Sequence, residues 1–255
     1  MSRCPEYADM KSDKYQRRFY RDWVKAKDLY LTHIQEKDTD LQILTNKPID
    51  KDFVKERVRL YRWAIENYIA KDRRFLTALK PITVELNAPL IVKEMARCTK
   101  KVNIGPMAGV AGAIAGFLGR DLLRKGYKDV IIENGGDIFL KTTKRRLIGI
   151  YTGRSKLWNR LSLKIKPSDT PSGICTSSGT IGHSLSFGLA DSVIILSKNA
   201  CLADAVATAT GNLVKSRQDL KTALNFAKSI RGVIGVVIII KDNLISWGKI
   251  KFVVS

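Results

Sequence analysis

The stretch 105–119 limits what this chain can fold into more than any other. Gly105, Gly109, Gly112, Gly116 and Gly119 recur at intervals of four and three residues with Ala and larger apolar residues between them, which is the spacing of one helical face. Each interior Gly costs about 1 kcal/mol of helix propensity relative to Ala. A helix here therefore needs a gain from outside itself, and close approach of another backbone or of a ligand is the usual physical source. Pro106 suits the first turn, and Gly126 after Lys125 suits the stop. The stretch is uncharged but shorter than the roughly 20 apolar residues of a bilayer span, so it reads as a buried helix and no membrane role is expected. A second small-residue helix is expected over about 201–214.

Strands surround these helices. Residues 17–24, 28–35 and 40–45 alternate Tyr, Trp, Ile and Leu against charge and predict an antiparallel meander. Asp50 is placed to cap a helix in which Val54, Val58, Tyr61, Ile65, Tyr68 and Ile69 recur at helical spacing. Pro89 opens another helix to about Cys98. Strands are expected at 130–132, 138–141, 147–151, 161–165 and 193–196, and a closing meander at 233–240, 244–247 and 249–254. The predicted fold class is α+β, with two intimately joined lobes of mainly antiparallel sheet and packed small-residue helices. One domain covers 1–255, as a strand meander with an amphipathic helix (1–100) and a motif-bearing core (101–255).

The 45 Lys and Arg against 24 Asp and Glu give a formal charge of +21, a field that attracts phosphorylated ligands, nucleic acid or anionic lipid. The basic residues are spread out and not interleaved with aromatics in one tract, so nucleic acid is not the expected partner. Cys4, Cys98, Cys175 and Cys201 form no Cys-x-x-Cys pair, which argues against zinc, an iron–sulfur cluster or a disulfide scaffold and fits a reducing cytoplasm. No charged segment followed by an apolar run opens the chain, and no secretory signal is expected.

Three blocks interrupt the apolar pattern. In Glu133-Asn134-Gly135-Gly136-Asp137-Ile138 the glycines suit either a tight hairpin turn or a set of backbone N–H groups turned to an anion. Cys175-Thr176-Ser177-Ser178-Gly179-Thr180, with Gly182-His183-Ser184 behind it, gathers hydroxyls fit for phosphate or ribose oxygens. Cys175 is either a nucleophile or an inert buried thiol, and His183 either an acid–base or ligand-positioning group or a structural one. In Ala203-Asp204-Ala205-Val206-Ala207-Thr208, Asp204 and Thr208 lie one turn apart on a helix of Ala and Val. A carboxylate on such a face requires a partner, which is either a hard cation such as Mg²⁺ shared with substrate phosphates or nearby backbone N–H groups.

Taken in this order, the blocks resemble the ApbE superfamily, whose characterised members are FAD:protein FMN transferases. The closer resemblance is to a related uncharacterised ApbE-like family of archaea and bacteria, and it covers nearly the whole chain. It runs through Gly105-Pro106-Met107-Ala108, the Glu133 block, 173–180, Gly182-His183-Ser184-Leu185-Ser186 and the Asp204 block. The resemblance implies that Asp204 and Thr208 hold Mg²⁺ at an FAD or FMN pyrophosphate. It also implies that Gly112 and Ala113 with the following Ile114 and Ala115, the pair Gly135 and Gly136 beside Asn134, and Thr176, Ser177, Ser178, Gly179 and Thr180 line the nucleotide site. The match departs at Gly116 and Phe117, where the transferases carry Lys and Gly, and at 184–188, where they carry Asp-Pro-Arg-Thr-Gly after the motif His. These departures separate the fold from FMN transfer.

The leading expectation is an ApbE-like protein that binds a small phosphorylated ligand, FAD with Mg²⁺ first among them, in a cleft between lobes, with His183 and Asp137 as proton-handling candidates. A second reading makes Cys175 the thiol of a sulfur-transfer or sulfur-assimilation enzyme, and a third makes the protein a ligand sensor or a subunit of a larger complex. Self-association into a homo-oligomer is expected from the resemblance alone.

Overall fold

The computed structural model describes residues 26–150, 161–179 and 188–254. The strand expected over 17–24 and the candidate residues Thr180, Gly182, His183 and Ser184 fall outside them. The chain enters as a hairpin, β1 (Tyr30–Glu36) and β2 (Thr39–Thr45), followed by α1 (Lys51–Lys71). Asp50 caps α1 as predicted, accepting the N–H of Phe53 at 3.0 Å. A one-turn helix α2 (Arg74–Thr77) leads to α3 (Leu90–Lys100). The helix expected from Pro106 is split. A 3-10 turn over Pro106–Gly109 precedes α4 (Val110–Arg124), because Gly109 at φ −125° and ψ 13° lies outside helical geometry. Gly126 ends the helical region at φ +81°.

Strands β3 (Val130–Asn134), β4 (Asp137–Lys141), β5 (Arg146–Gly149), β6 (Leu161–Ile165), β7 (Ser172–Ser177) and β8 (Ser192–Ser197) follow. Helices α5 (Ala200–Leu213) and α6 (Leu220–Ser229) come next, and β9 (Val233–Ile240), β10 (Asn243–Gly248) and β11 (Phe252–Val254) end the described chain. The large sheet has the order β1-β2-β3-β4-β7-β8-β9-β10 with every neighbouring pair antiparallel. Because β1 and β2 extend it beside β3, the first hundred residues and the motif-bearing stretch share one sheet. The closing meander is not complete: β11 leaves it and pairs with β6 in a second sheet, β11-β6-β5. The chain turns away at Gly248, whose φ of +86° and 2.3 Å approach of a would-be Cβ to the Ile234 carbonyl require glycine.

Side chains alternate across a strand, and here both faces of the sheet are covered. Ile132, Phe139, Cys175, Val193, Ile195, Val236 and Ile238 face the helices. Ile131, Leu140, Ile174, Ile194, Leu196, Val237 and Ile239 face the small sheet through Ile148, Leu163 and Ile165. That double cover explains why β2, β3 and β8 are buried at every residue while the edge strand β1 alternates. Three elements fall outside the sequence expectation, among them the single turn α2. β7 forms within the hydroxyl-rich block because pairing with β4 and β8 in mid-sheet outweighs its weak strand propensity. α6 is carried by Leu220, Ala223 and Ala227 at helical spacing.

The glycines of α4 are explained by backbone approach. A Cβ on Gly112 would lie 2.4 Å from the Ala200 carbonyl oxygen of α5, whereas one on Gly116 would meet its nearest atoms at 3.6 Å. The two positions therefore respond in opposite ways. Gly116→Ala is expected to raise stability by a few tenths to about 1 kcal/mol through helix propensity. Gly112→Ala is expected to lower it by about 1–3 kcal/mol through overpacking. Urea unfolding of the two variants beside the parent checks the contrast, and equal effects would refute it.

Candidate functional site

Three elements bring the acidic and thiol groups together. The β3–β4 turn is a two-residue hairpin closed by the pair Asn134 and Asp137, with Gly135 at φ +65° and Gly136 at φ +98°. Both signs are those of the tightest hairpin turn, which few residues other than Gly and Asn enter. Of the two roles open to these glycines, the turn is the one the backbone displays. The N–H of Gly136 is already donated to Glu133 Oε1 at 2.8 Å.

From that turn, the two-residue alternation of β4 puts Asp137 on the same face as Phe139, toward the helices. On β7 the same alternation puts Cys175 on the helix face, above which α5 runs. Helix α5 descends onto Gly173, where a Cβ would sit 2.3 Å from the Ala200 Cα. Asp204, one turn into α5, points at the start of α4 and accepts the N–H of Gly112 at 2.9 Å through Oδ2. Asn134 ties the hairpin to the same place by donating its Nδ2 to the Ala111 carbonyl at 3.2 Å.

Asp137 and Asp204 are both buried. Burial lifts Asp204 to about pKa 7, against the lowering effect of the Gly112 and Ala111 N–H groups. Burial lifts Asp137 well above the usual carboxylate range, and the Asp204 and Glu133 charges push it the same way. Among the described residues no basic side chain is among the main groups acting on either carboxyl. The backbone N–H partner foreseen for Asp204 is present in Gly112, while Asp137 Oδ1 has no hydrogen-bond partner among the described residues. An orphan oxygen on a buried carboxyl costs free energy, and a proton, a cation or a ligand group at Asp137 Oδ1 would remove that cost.

Cys175 is fully buried and donates its thiol to the Ala200 carbonyl at 3.3 Å. Burial and the two carboxyls push its pKa well above the ordinary thiol value, so the thiol is neutral, as in a structural cysteine. Thr176, Ser177 and Ser178 continue β7 into half-buried positions, and Gly179 is exposed with its N–H on the Ala190 carbonyl at 2.9 Å. Ser177 abuts α5 at Gly211, where a Cβ would come 3.3 Å from its Oγ. Thr208 is half-buried one turn beyond Asp204. Ala113 is a core residue, packed among the apolar side chains of α4. Among the described residues no group of three His, Cys, Asp or Glu side chains is arranged to hold a metal ion, and no helix is long and apolar enough to cross a membrane.

The juxtaposition of Asp137 with Asp204 is the feature that the sequence did not disclose, since the two residues belong to separate blocks. The strand alternation 137/139 and 173/175 was a usable signal for Asp137 and Cys175, hidden because 172–177 does not look like a strand. Glu133 also acts here, as the acceptor that holds the glycine turn.

The family model described as AbpE bacteria matches residues 21–251. A UPF0280 protein of Methanosarcina acetivorans is 37% identical over 219 residues, 86% of this chain and 86% of its own length. A UPF0280 protein of Methanocaldococcus jannaschii is 40% identical over 209 residues, 79% of this chain and 84% of its own. Among solved structures, a flavin transferase ApbE from Vibrio cholerae superposes with a TM-score of 0.59 at 14% identity, covering 86% of this chain and 97% of that one. At that identity the likeness establishes the fold.

The raised carboxyl of Asp204 gives a sign to the pH dependence of stability. Between its ordinary value of 3.8 and its folded value of about 7, the folded state holds a proton that the unfolded chain has released, so this contribution is full at low pH and is lost as pH rises through 7. Asp204→Asn removes the titration and keeps an oxygen for the Gly112 N–H. The variant is expected to gain on the parent steadily from about pH 4 to pH 7, by at most about 1.4 kcal/mol per pH unit. Urea midpoints across that range check it, and a gain in the opposite direction would show Asp204 charged in the folded protein.

Proposed function

The chain belongs to the family described as AbpE bacteria, and we propose that it binds a nucleotide or another phosphorylated ligand, FAD first among them, together with Mg²⁺ at the Asp137–Asp204 centre. The observation that carries this reading is the buried carboxyl pair, on which no basic side chain among the described residues acts and one oxygen of which, Asp137 Oδ1, has no partner among them. A pair of carboxyls that burial raises, Asp137 further by the Asp204 charge, is a poor end state for a core but a good host for a hard cation, which takes oxygen ligands and displaces their protons.

The donor set fits. Mg²⁺ characteristically uses one or two protein carboxylates and takes its remaining oxygens from water and substrate phosphate, so a pair of carboxyls with a hydroxyl is enough. Asp204 and Thr208, one turn apart on α5, would hold the cation with Asp137 beside them. The cation would neutralise phosphate charge as the ligand binds. The hydroxyls of Thr176, Ser177 and Ser178 at the end of β7 would take hydrogen bonds to phosphate or ribose. The N–H groups of Gly136 and Gly179 are already engaged, so phosphate binding falls to these hydroxyls and to Gly135, above which there is open space. Asp137 would act as the proton-holding group, loading or releasing a proton as charge enters the site.

FMN transfer is not part of this proposal, because Gly116, Phe117 and the 184–188 stretch depart from the transferase pattern. Thiol chemistry at Cys175 is left out as well, since its burial and two acidic neighbours disfavour the thiolate.

Calorimetric titration with FAD, with and without Mg²⁺, tests the reading. Micromolar binding that requires Mg²⁺ and is abolished in Asp204→Ala is the expected result, with protons released on Mg²⁺ binding near neutral pH and visible as a dependence of the heat on the buffer. FAD binding indifferent to both Mg²⁺ and the substitution would sink it.

A further inference from the structure

A cavity of about 630 Å³ lies at the opposite face of α5, lined by Arg97, Lys101, Lys198, Arg231, Ser197 and Leu202 among others, with no acidic residue in the lining. Its volume is that of an ordinary small-molecule site. Leu202 lines it while Asp204 turns to α4, as expected for residues two apart and so about 200° apart around a helix.

We infer that this cavity is a second anion site, built for the phosphate groups of a small molecule. The charge balance carries the inference. Of the four cations, Arg97 is matched by Glu94, at 2.8 Å. Lys101 Nζ reaches only the Arg231 carbonyl at 3.4 Å, and Lys198 Nζ only the Asp169 carbonyl at 3.1 Å. Arg231 has no ion pair among the described residues, so three cationic residues without a carboxylate partner there line one concavity, and the lining itself holds no carboxylate. Like charges held together in this way repel, and a multiply charged anion is the group that reverses the sign of that interaction. The partial positive charge at the start of α5 adds to the same field, and the Ser197 hydroxyl, donated to the Gly232 carbonyl at 2.8 Å, fixes the rim of the cavity.

Leu202 and Ile230 give the cavity an apolar wall that inorganic phosphate would not use, and a phosphate ester with an organic moiety would. The site is independent of the carboxyl centre proposed above, so either can fail without the other.

The test is calorimetric titration of the full chain with inorganic pyrophosphate and, separately, with ADP, both without Mg²⁺. Lys101 and Arg231 are exposed, so the double variant Lys101→Ala/Arg231→Ala is expected to keep the parent's melting temperature. It is expected to bind pyrophosphate about tenfold or more weakly, while Asp204→Ala binds as the parent does. Tighter binding of ADP than of pyrophosphate assigns the apolar wall to an organic moiety, and equal binding assigns the site to the phosphate groups alone. Absence of saturable binding to the parent overturns the inference. So does equal affinity in the double variant, or a loss in Asp204→Ala as large as in the double variant.

Discussion

The backbone of Ala200 is the contact on which the rest of the structure depends. Gly112 of α4 leaves room for its carbonyl oxygen, Gly173 of β7 leaves room for its Cα, and Cys175 donates a thiol hydrogen bond to the same carbonyl. A helix, a strand and a second helix therefore meet without side chains between them. This closeness is what lets Asp204, one turn further along α5, reach the N–H of Gly112, and what brings it near Asp137 across the face of the sheet. A side chain at either glycine would lift α5 away and separate the two carboxyls before it changed anything else. The low helix propensity of α4 is thus the cost of placing a site, offset by packing density against α5.

The protein distributes charge in an unusual way. Its net charge is +21, yet among the described residues no cation acts on the two raised carboxyls Asp137 and Asp204, while Lys101, Lys198 and Arg231, none of them in an ion pair there, line a concavity with no acid in its lining. Elsewhere some basic residues are paired with acids: Arg57 bonds Asp121 at 2.7 Å, and Arg146 bonds Asp28 at 2.6 Å and approaches Asp129 at 3.4 Å. The protein could neutralise its buried acids with side chains and does so for Asp121 and Asp129. Leaving Asp137 and Asp204 unneutralised is thus a property of that place in the fold.

How much of this was legible depended on the range of the interaction involved. The amphipathic helix from Asp50, the glycine stop at 126, the α+β class and the order of most strands follow from local periodicity and caps, which a sequence displays directly. The turn at Gly135 and Gly136 was legible as one of two roles, and only the φ angles separate them. What the sequence hid was non-local. β7 carries only one large apolar residue, Ile174, and exists because β4 and β8 pair with it. The departure of β11 to β6 depends on a strand nearly ninety residues earlier. The Asp137–Asp204 pair depends on two glycines that make no contact with Asp137 through any side chain of their own.

The departure from the flavin transferase pattern at Gly116 and Phe117 has a structural counterpart. Phe117 packs edge-on against Tyr61 of α1, with ring centroids 5.3 Å apart, and carries the Arg120 guanidinium 4.4 Å above its ring. Tyr61 in turn shares Asp121 with Arg57. The position therefore joins α4 to α1 on the side of α4 away from Asp204, and Gly116 beside it has only ordinary van der Waals neighbours. A side chain at Gly116, where the transferases carry Lys, would instead meet Ala200 of α5 and the Arg120 guanidinium, the nearest atoms to a Cβ there at 3.6 Å. Phe117 thus belongs to the packing of α4 on α1, while Gly116 shares with Gly112 the face of α4 that meets Ala200 of α5. The departure therefore touches both faces of α4, the one that packs on α1 and the one that packs on α5 beside Gly112, while the fold itself is retained.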